Sequence, residues 1–398
     1  MALSIWNWNK TKEYDGTVAM IGLNMTSADT QTLDDVLVAG TGAFADKNVS
    51  RNSGALAANK SYTIDGLALS GADAGNYYLA SSTLSASDGQ ITPKSLAVTY
   101  AGVNKVYDGL DDATVTTTDN RVAGDTFSIS QTAKFADKHV ARDINSNPQV
   151  KNITISNLAL ANGDASNYTA TAAGSPGAII TPKSLNISGI TAADKIYNAT
   201  NATTLSTTAL TKNGLVGSDD VVVAVTGTFA DANAATGKTV SIGSTITGAD
   251  KDNYTITTQN STLASILKRQ VTVSVGGSVS KAYDGTTAMI GVQIGLAGVN
   301  GVADSGVIGG QTVDITGIGS FSSSDVSRDG SNNVLANKSY SLSNLQLSGV
   351  SAINYEIAGG ASSISGSNGR IDAKAVTLTP QAASKVYDGT THGEFVLA

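Results

Sequence analysis

Cysteine is absent from this 398-residue sequence, so disulfides, thiolate metal sites and a cysteine nucleophile are excluded together. Histidine is almost absent too. His139 and His392 stand at non-equivalent places in the chain, which excludes a multi-imidazole metal centre or a histidine-based catalyst within one domain. Glutamate is confined to Glu13, Glu356 and Glu394, so nearly all the acidity comes from aspartate. Glutamate suits helices and aspartate suits turns, and the bias points to an all-β chain with many loops. With a net charge of −7 and a pI near 4.8 there is no basic footprint for nucleic acid, and an anionic membrane surface is disfavoured on the same ground. No stretch approaches the roughly 18 consecutive apolar residues of a membrane span, so no membrane insertion is expected. The opening Met1-Ala2-Leu3-Ser4 lacks the basic and apolar regions of a signal peptide. Both ends are expected to be cuts from a longer array, with any secretion signal or anchor outside it.

What the sequence does contain is a recurring Lys-x-Tyr-Asp-Gly. It appears as Lys12-Glu13-Tyr14-Asp15-Gly16, Lys105-Val106-Tyr107-Asp108-Gly109, Lys281-Ala282-Tyr283-Asp284-Gly285 and Lys385-Val386-Tyr387-Asp388-Gly389, with a worn form at Lys195-Ile196-Tyr197-Asn198-Ala199. The interval of roughly 90–100 residues is too long for a solenoid repeat and fits a complete small β-sandwich. Four full copies and the start of a fifth follow, with boundaries at 1–94, 95–183, 184–269 (the degenerate motif), 270–374 and 375–398.

Within each copy the pattern is that of short strands and turns. Leu96-Ala97-Val98-Thr99-Tyr100 and Val271-Thr272-Val273-Ser274-Val275 alternate as half-buried strands do. Asp-Gly after the tyrosine is a turn signal, and in the third copy Asn198 is expected to take the left-handed conformation unless the turn changes type. Phe44, Phe135, Phe229 and Phe321 hold one place in every full copy and read as core plugs. Tyr62, Ile64, Leu67 and Leu69 break their alternation once, beside Gly66. Asn157 and Asn344 stand beside the same break in the second and fourth copies, which predicts a β-bulge in those three and not in the third. Asp73 and Tyr77, Asp164 and Tyr168, and Asp250 and Tyr254 share one spacing, with Ser351 and Tyr355 in the fourth copy. They resemble the tyrosine corner of immunoglobulin-like sandwiches, in which the hydroxyl bonds backbone a few residues upstream. Ile91-Thr92-Pro93-Lys94 and Ile180-Thr181-Pro182-Lys183 join one copy to the next with no slack.

No constellation reads as an active site, so no catalytic, cofactor-binding or metal-ligating residue is assigned and no enzyme is expected. Calcium is the one ion the aspartate-rich corners raise. It is disfavoured, because the corner offers one carboxylate and one Asn in most copies and the ordinary use of both is in turns. The threonine tract Thr114-Val115-Thr116-Thr117-Thr118 reads as solvent-facing strand rather than a ligand ladder. Trp6 and Trp8 read as packing residues rather than sugar platforms.

As a set, Lys-x-Tyr-Asp-Gly-Thr, Phe44-Ala45-Asp46-Lys47, Leu69-Ser70-Gly71-Ala72-Asp73-Ala74-Gly75-Asn76-Tyr77 and Ile91-Thr92-Pro93-Lys94 resemble the YDG domain of long bacterial surface and secreted proteins of the filamentous-haemagglutinin type. The resemblance implies an extracellular adhesin segment at the bacterial cell surface, of the kind found in biofilm attachment. The fold expected is a tandem array of immunoglobulin-like antiparallel β-sandwich domains forming an elongated rod. Its function would be that of a structural stalk whose partners are the neighbouring repeats of the same chain. The alternative is that the repeats themselves bind exopolysaccharide or a host glycan.

Overall fold

The computed structural model describes the chain except residues 1, 4, 7, 28, 29, 31, 32, 380–385, 388 and 391–398. Lys385 and Asp388 of the fifth motif and His392 beyond it therefore lie outside the described residues, as does the side chain of Trp6. The chain divides into two compact units, one of Met1–Leu185, Asn213–Val221 and Thr247–Thr257, the other of Asn186–Lys212, Val222–Ile246 and Thr258–Ala398.

In the first unit the second copy shows the plan most fully. Lys94–Val103 is the middle of a three-stranded sheet, antiparallel to Thr114–Asp119 and parallel to Tyr168–Ala173. A four-stranded sheet runs in the order Lys105–Val106, Gly177–Thr181, Val150–Ala161, Ser128–Phe135. The all-β expectation holds, and among the described residues the only helices are short 3-10 turns such as Gly163–Asn167. The sheets are mixed rather than wholly antiparallel, because the short Lys105–Val106 strand pairs in parallel with Ile180 and Thr181. In the second unit the fourth copy repeats the plan, with Arg269–Gly276 between Gln293–Ala297 and Tyr355–Ile357, and Asp314–Phe321 at the edge of the four-stranded sheet.

The buried set follows the alternation of the strands. Leu96 and Val98 are fully enclosed on one face of Lys94–Val103, and Phe44, Phe135, Phe229 and Phe321 are all buried. In the first unit one hydrophobic cluster runs from Tyr14, Phe44, Ile64 and Ile91 of the first copy into Leu96, Val98 and Tyr168 of the second. In the second unit Tyr197, Phe229 and Ile266 of the third copy cluster with Val271 and Tyr355 of the fourth. A domain of about 90 residues buries a smaller fraction of its surface than a larger one does, so a core continued into the next copy adds burial that one copy alone lacks.

The bulge falls where the broken alternation places it. Ala39 pairs with Ala68 and Thr41 with Asp65, so Gly66 and Leu67 together oppose Gly40. Asn157 with Leu158 and Asn344 with Leu345 do the same in the second and fourth copies. Gly66, Asn157 and Asn344 take the left-handed φ values (62°, 54° and 51°) that such a bulge needs, and the extra residue turns Leu67 and Leu345 into the core. In the third copy Ala235–Thr247 has no left-handed residue from Lys238 onward.

The tyrosine turn corrects one expectation. In the third copy Ala199, not Asn198, takes the left-handed conformation, at φ 65°, where Gly16 and Gly109 stand at 81° and 82°. The Asn198 carboxamide is held elsewhere, accepting from Lys195 Nζ at 2.8 Å and from the Thr200 hydroxyl at 2.8 Å, so the turn keeps its type and the alanine carries the strain. Ala199→Gly should therefore stabilise the chain by about 1 kcal/mol, and Asn157→Val should destabilise it by about the same or more, both measured as denaturant midpoints at unchanged slope. An Ala199→Gly variant that melts earlier would contradict the strained turn.

Candidate interaction site at the joins between copies

The lysine of the repeated motif is a clamp on its own turn. Lys12 Nζ donates to Asp15 Oδ1 (2.7 Å) and to the carbonyls of Thr17 (2.8 Å) and Ala19 (2.9 Å), and Lys281 does the same with Asp284 and the carbonyls of Thr286 and Ala288. The buried ammonium thus has hydrogen-bond partners on several sides, which a desolvated cation requires. It also lies over the plug: Lys12 Nζ is 5.9 Å from the centre of the Phe44 ring. Within the turn the Thr17 N–H and hydroxyl donate to Asp15 Oδ1. Lys281 and the Thr286 donors hold the Asp284 carboxyl down at about 2.

With the turn fixed, the motif tyrosine reaches into the next copy. Tyr14 donates to Asp125 Oδ2 at 2.7 Å, and Tyr168, the corner tyrosine of the second copy, donates to the same oxygen at 2.6 Å. Lys47, three residues after the Phe44 plug, donates to Asp125 Oδ1 at 2.9 Å. The next join repeats this arrangement: Tyr107 and Tyr254 donate to Asp219 Oδ2 at 2.8 and 2.6 Å, and Lys138 approaches Asp219 Oδ1 at 3.3 Å. In both, the tyrosine rings meet edge to face with centroids 5.4 and 5.5 Å apart. The Tyr168 hydroxyl accepts from the Val122 N–H and that of Tyr254 from the Val216 N–H, each at 2.9 Å. Val122 also crowds the glycine of the preceding motif, since a Cβ on Gly16 would lie 2.7 Å from Val122 Cγ1.

A second latch uses the asparagine before the corner tyrosine. Asn167 Oδ1 accepts the Val49 N–H at 2.9 Å, Asn253 Oδ1 that of Val140 at 3.0 Å, and Asn354 Oδ1 that of Ala234 at 2.7 Å. Their amide nitrogens lie against Asn48 Oδ1, His139 Nδ1 and Asn233 Oδ1. His139 therefore stands where an asparagine side-chain oxygen stands in the other copies. Arg51 and Arg142 complete the first two joins by donating to the corner carbonyls of Ser166 and Asp252.

The third join keeps the tyrosines and changes the charge. Tyr197 and Tyr355 meet edge to face at 5.6 Å, and between them stands Gln311 in place of an aspartate. Its Nε2 donates to the Tyr197 hydroxyl at 2.6 Å, and the Tyr355 hydroxyl donates to its Oε1. Ala232 occupies the place of Lys47 and Lys138. Cation and anion are lost together, so neither is left buried without its partner.

Burial alone would raise the Asp125 and Asp219 carboxyls. The hydrogen bonds from the two tyrosines and the lysine more than offset it and hold both below the ordinary carboxylate range. Burial and then the neighbouring carboxylate push Tyr14, Tyr168, Tyr107 and Tyr254 upward. Asp125 followed by Tyr14 raises Lys47.

The corner tyrosines Tyr168, Tyr254 and Tyr355 are enclosed and bound to backbone, as the sandwich analogy predicts, but the backbone is 38 to 47 positions upstream rather than a few residues, and in the first copy Tyr77 is half-buried and donates to the Asp34 carboxylate. The acceptors Asp125, Asp219 and Gln311 lie in a stretch that reads as polar and variable. The matched exchange of Lys with Ala and Asp with Gln between copies is the signal that points to them. The corner carboxylates accept backbone N–H groups, Asp73 from Asp35, Asp164 from Thr126 and Asp250 from Asp220. Trp8 packs edge to face on Tyr62.

A family model for the YDG domain matches four times, over residues 1–84, 92–175, 181–262 and 267–363. The chain belongs to the YDG domain family. The four YDG spans fall one to each copy. No match was found among curated proteins. Among solved structures the YDG chain is similar to the Protocadherin GammaB4 extracellular domain, at 11% identity and a TM-score of 0.19. The match covers 94% of this chain and 66% of that one, and at such a score it carries no argument.

Two measurements test the joins. Lys47→Ala should cost about 1–2 kcal/mol by leaving the Asp125 carboxylate without its cation, and Asp125→Gln in the same chain should recover most of that, as a double-mutant cycle reads it. Independent effects of the two changes would contradict the pairing. In the pH dependence, Asp125 and Asp219 are lowered on folding, so their contribution is complete above about pH 4 and lost as pH falls through the folded values. The four tyrosines are raised, so theirs is complete below about pH 10 and lost as pH rises beyond it. The melting temperature should be flat between these limits and fall outside both. Tyr14→Phe with Tyr168→Phe should flatten the alkaline limb.

Proposed function

We propose that this YDG array is a non-catalytic spacer of a bacterial extracellular adhesin or filament, holding a distal adhesive region away from the cell for cell-cell or surface attachment. One observation carries the reading: the residues that recur from copy to copy are used in the turn, the core or the join. Lys12, Phe44, Tyr14, Asp125, Asn167 and Tyr168 all point into contacts within the protein rather than into a cleft open to a ligand. A glycosidase, by contrast, needs two carboxylates about 5–10 Å apart in a substrate cleft. Here the aspartates of the joins are held by lysine and tyrosine and those of the corners by backbone N–H groups, which favours a scaffold without a structural ion.

Small-angle scattering with and without a calcium chelator tests this reading. Four domains of roughly 30 Å in line should give a pair-distance distribution peaked near one domain diameter, with a tail beyond about 100 Å. The curve should not change on chelation. A compact particle would favour a shared glycan-binding surface, and a tail that shortens on chelation would show that calcium stiffens the chain.

A further inference from the structure

The fourth copy carries the same join face as the other three, with a different charge. Its turn is fully formed by the Lys281 clamp and Phe321 is buried beneath it. Tyr283, however, is 39% exposed, where Tyr14 and Tyr107 are 1% and Tyr197 is 4%, and among the described residues its hydroxyl has no hydrogen-bond partner. Counted from the phenylalanine plug, Ser324 holds the place of Lys47, Asp325 that of Asn48, and Val326 that of Val49. Arg328 donates to the Asn332 carbonyl at 2.7 Å, as Arg142 does to that of Ser146 at 2.6 Å, which leaves the rest of its guanidinium in the position from which Arg142 reaches a corner carbonyl.

We propose that Tyr283, Ser324, Asp325 and Arg328 form a docking face for the corner of a further YDG copy whose turn presents an amide side chain, glutamine or asparagine, rather than an aspartate. The chemistry of the occupant follows from the three filled joins. Each takes an Asn-Tyr corner and one side chain that bonds both tyrosine hydroxyls, and that side chain is a carboxylate only where a lysine faces it. Ser324 brings no cation, so an aspartate here would be buried unpaired, with Asp325 adding like charge beside it. A glutamine at that place instead bonds both tyrosines, as Gln311 does. Asp325 supplies the acceptor for the amide of the corner asparagine, the part played by Asn48, His139 and Asn233. This inference rests on the joins and does not depend on the spacer reading.

The test extends the full chain in place of residues 375–398 with a second copy of residues 95–183, its acceptor either Asp125 or Asp125→Gln, and follows nitration of Tyr283 by tetranitromethane. With Asp125→Gln the rate at Tyr283 should fall about tenfold against the unextended chain, as for a face covered in most molecules, and with Asp125 it should stay within about twofold. Ser324→Lys in the resident fourth copy should invert the order, so that the aspartate form protects and the glutamine form does not. Equal protection in all four combinations would overturn the charge matching. No protection in any of them would overturn the docking face itself.

Discussion

Each join turns on one side chain shared by two tyrosine hydroxyls from different copies, a carboxylate that accepts from both at Asp125 and Asp219 and a carboxamide that donates to one and accepts from the other at Gln311. A buried polar atom left without partners costs more than a satisfied one gives back, so Asp125 or Asp219 can be enclosed only when both tyrosines and the lysine are in place. That requirement fixes the rest. The Lys12 clamp sets the turn from which Tyr14 projects, the 3-10 turn Gly163–Asn167 sets the corner from which Tyr168 projects, and the two meet on one oxygen. The Asn167 latch then aligns the backbone beside them.

Placing the polar network among apolar residues binds it to the core. Tyr14 and Tyr168 belong to the hydrophobic cluster that continues from the first copy into the second, so loosening the join also exposes Leu96 and Val98. The third join reaches the same end without net charge. Gln311 satisfies both hydroxyls, and Ala232 removes the lysine that would have lacked a partner.

Much of the single copy was legible in the sequence because its signals are local. The bulge at Gly66, Asn157 and Asn344 shows as one offset in a period-two pattern, and the phenylalanine plug shows as a rare residue at a fixed place. In the third turn propensity favours asparagine for the left-handed residue, which points to Asn198 unless the turn changes type. The Lys195 clamp decides otherwise by holding that side chain. The joins were not legible in the same way. Tyr14 and Asp125 are 111 positions apart, the acceptor sits in a stretch whose other residues vary, and its identity changes to glutamine in the fourth copy. Only the paired exchange with the lysine position marks it, and that requires the copies to be compared two at a time with an offset of one.

The two sides of every join are unlike: one copy offers a tyrosine and a lysine or its substitute, and the next offers an acceptor turn and a corner. A head-to-tail contact between unlike faces is not self-complementary, and filling one such face presents the same kind of face again one copy further on. For a chain that folds from its first residue onward, each new copy meets a preformed template, as the intact but uncovered turn at Tyr283 illustrates. Contacts between copies such as Tyr14 to Asp125, separated by more than a hundred positions, then form against a surface already folded, while each copy still pairs distant strands such as Lys94–Val103 and Tyr168–Ala173 for itself.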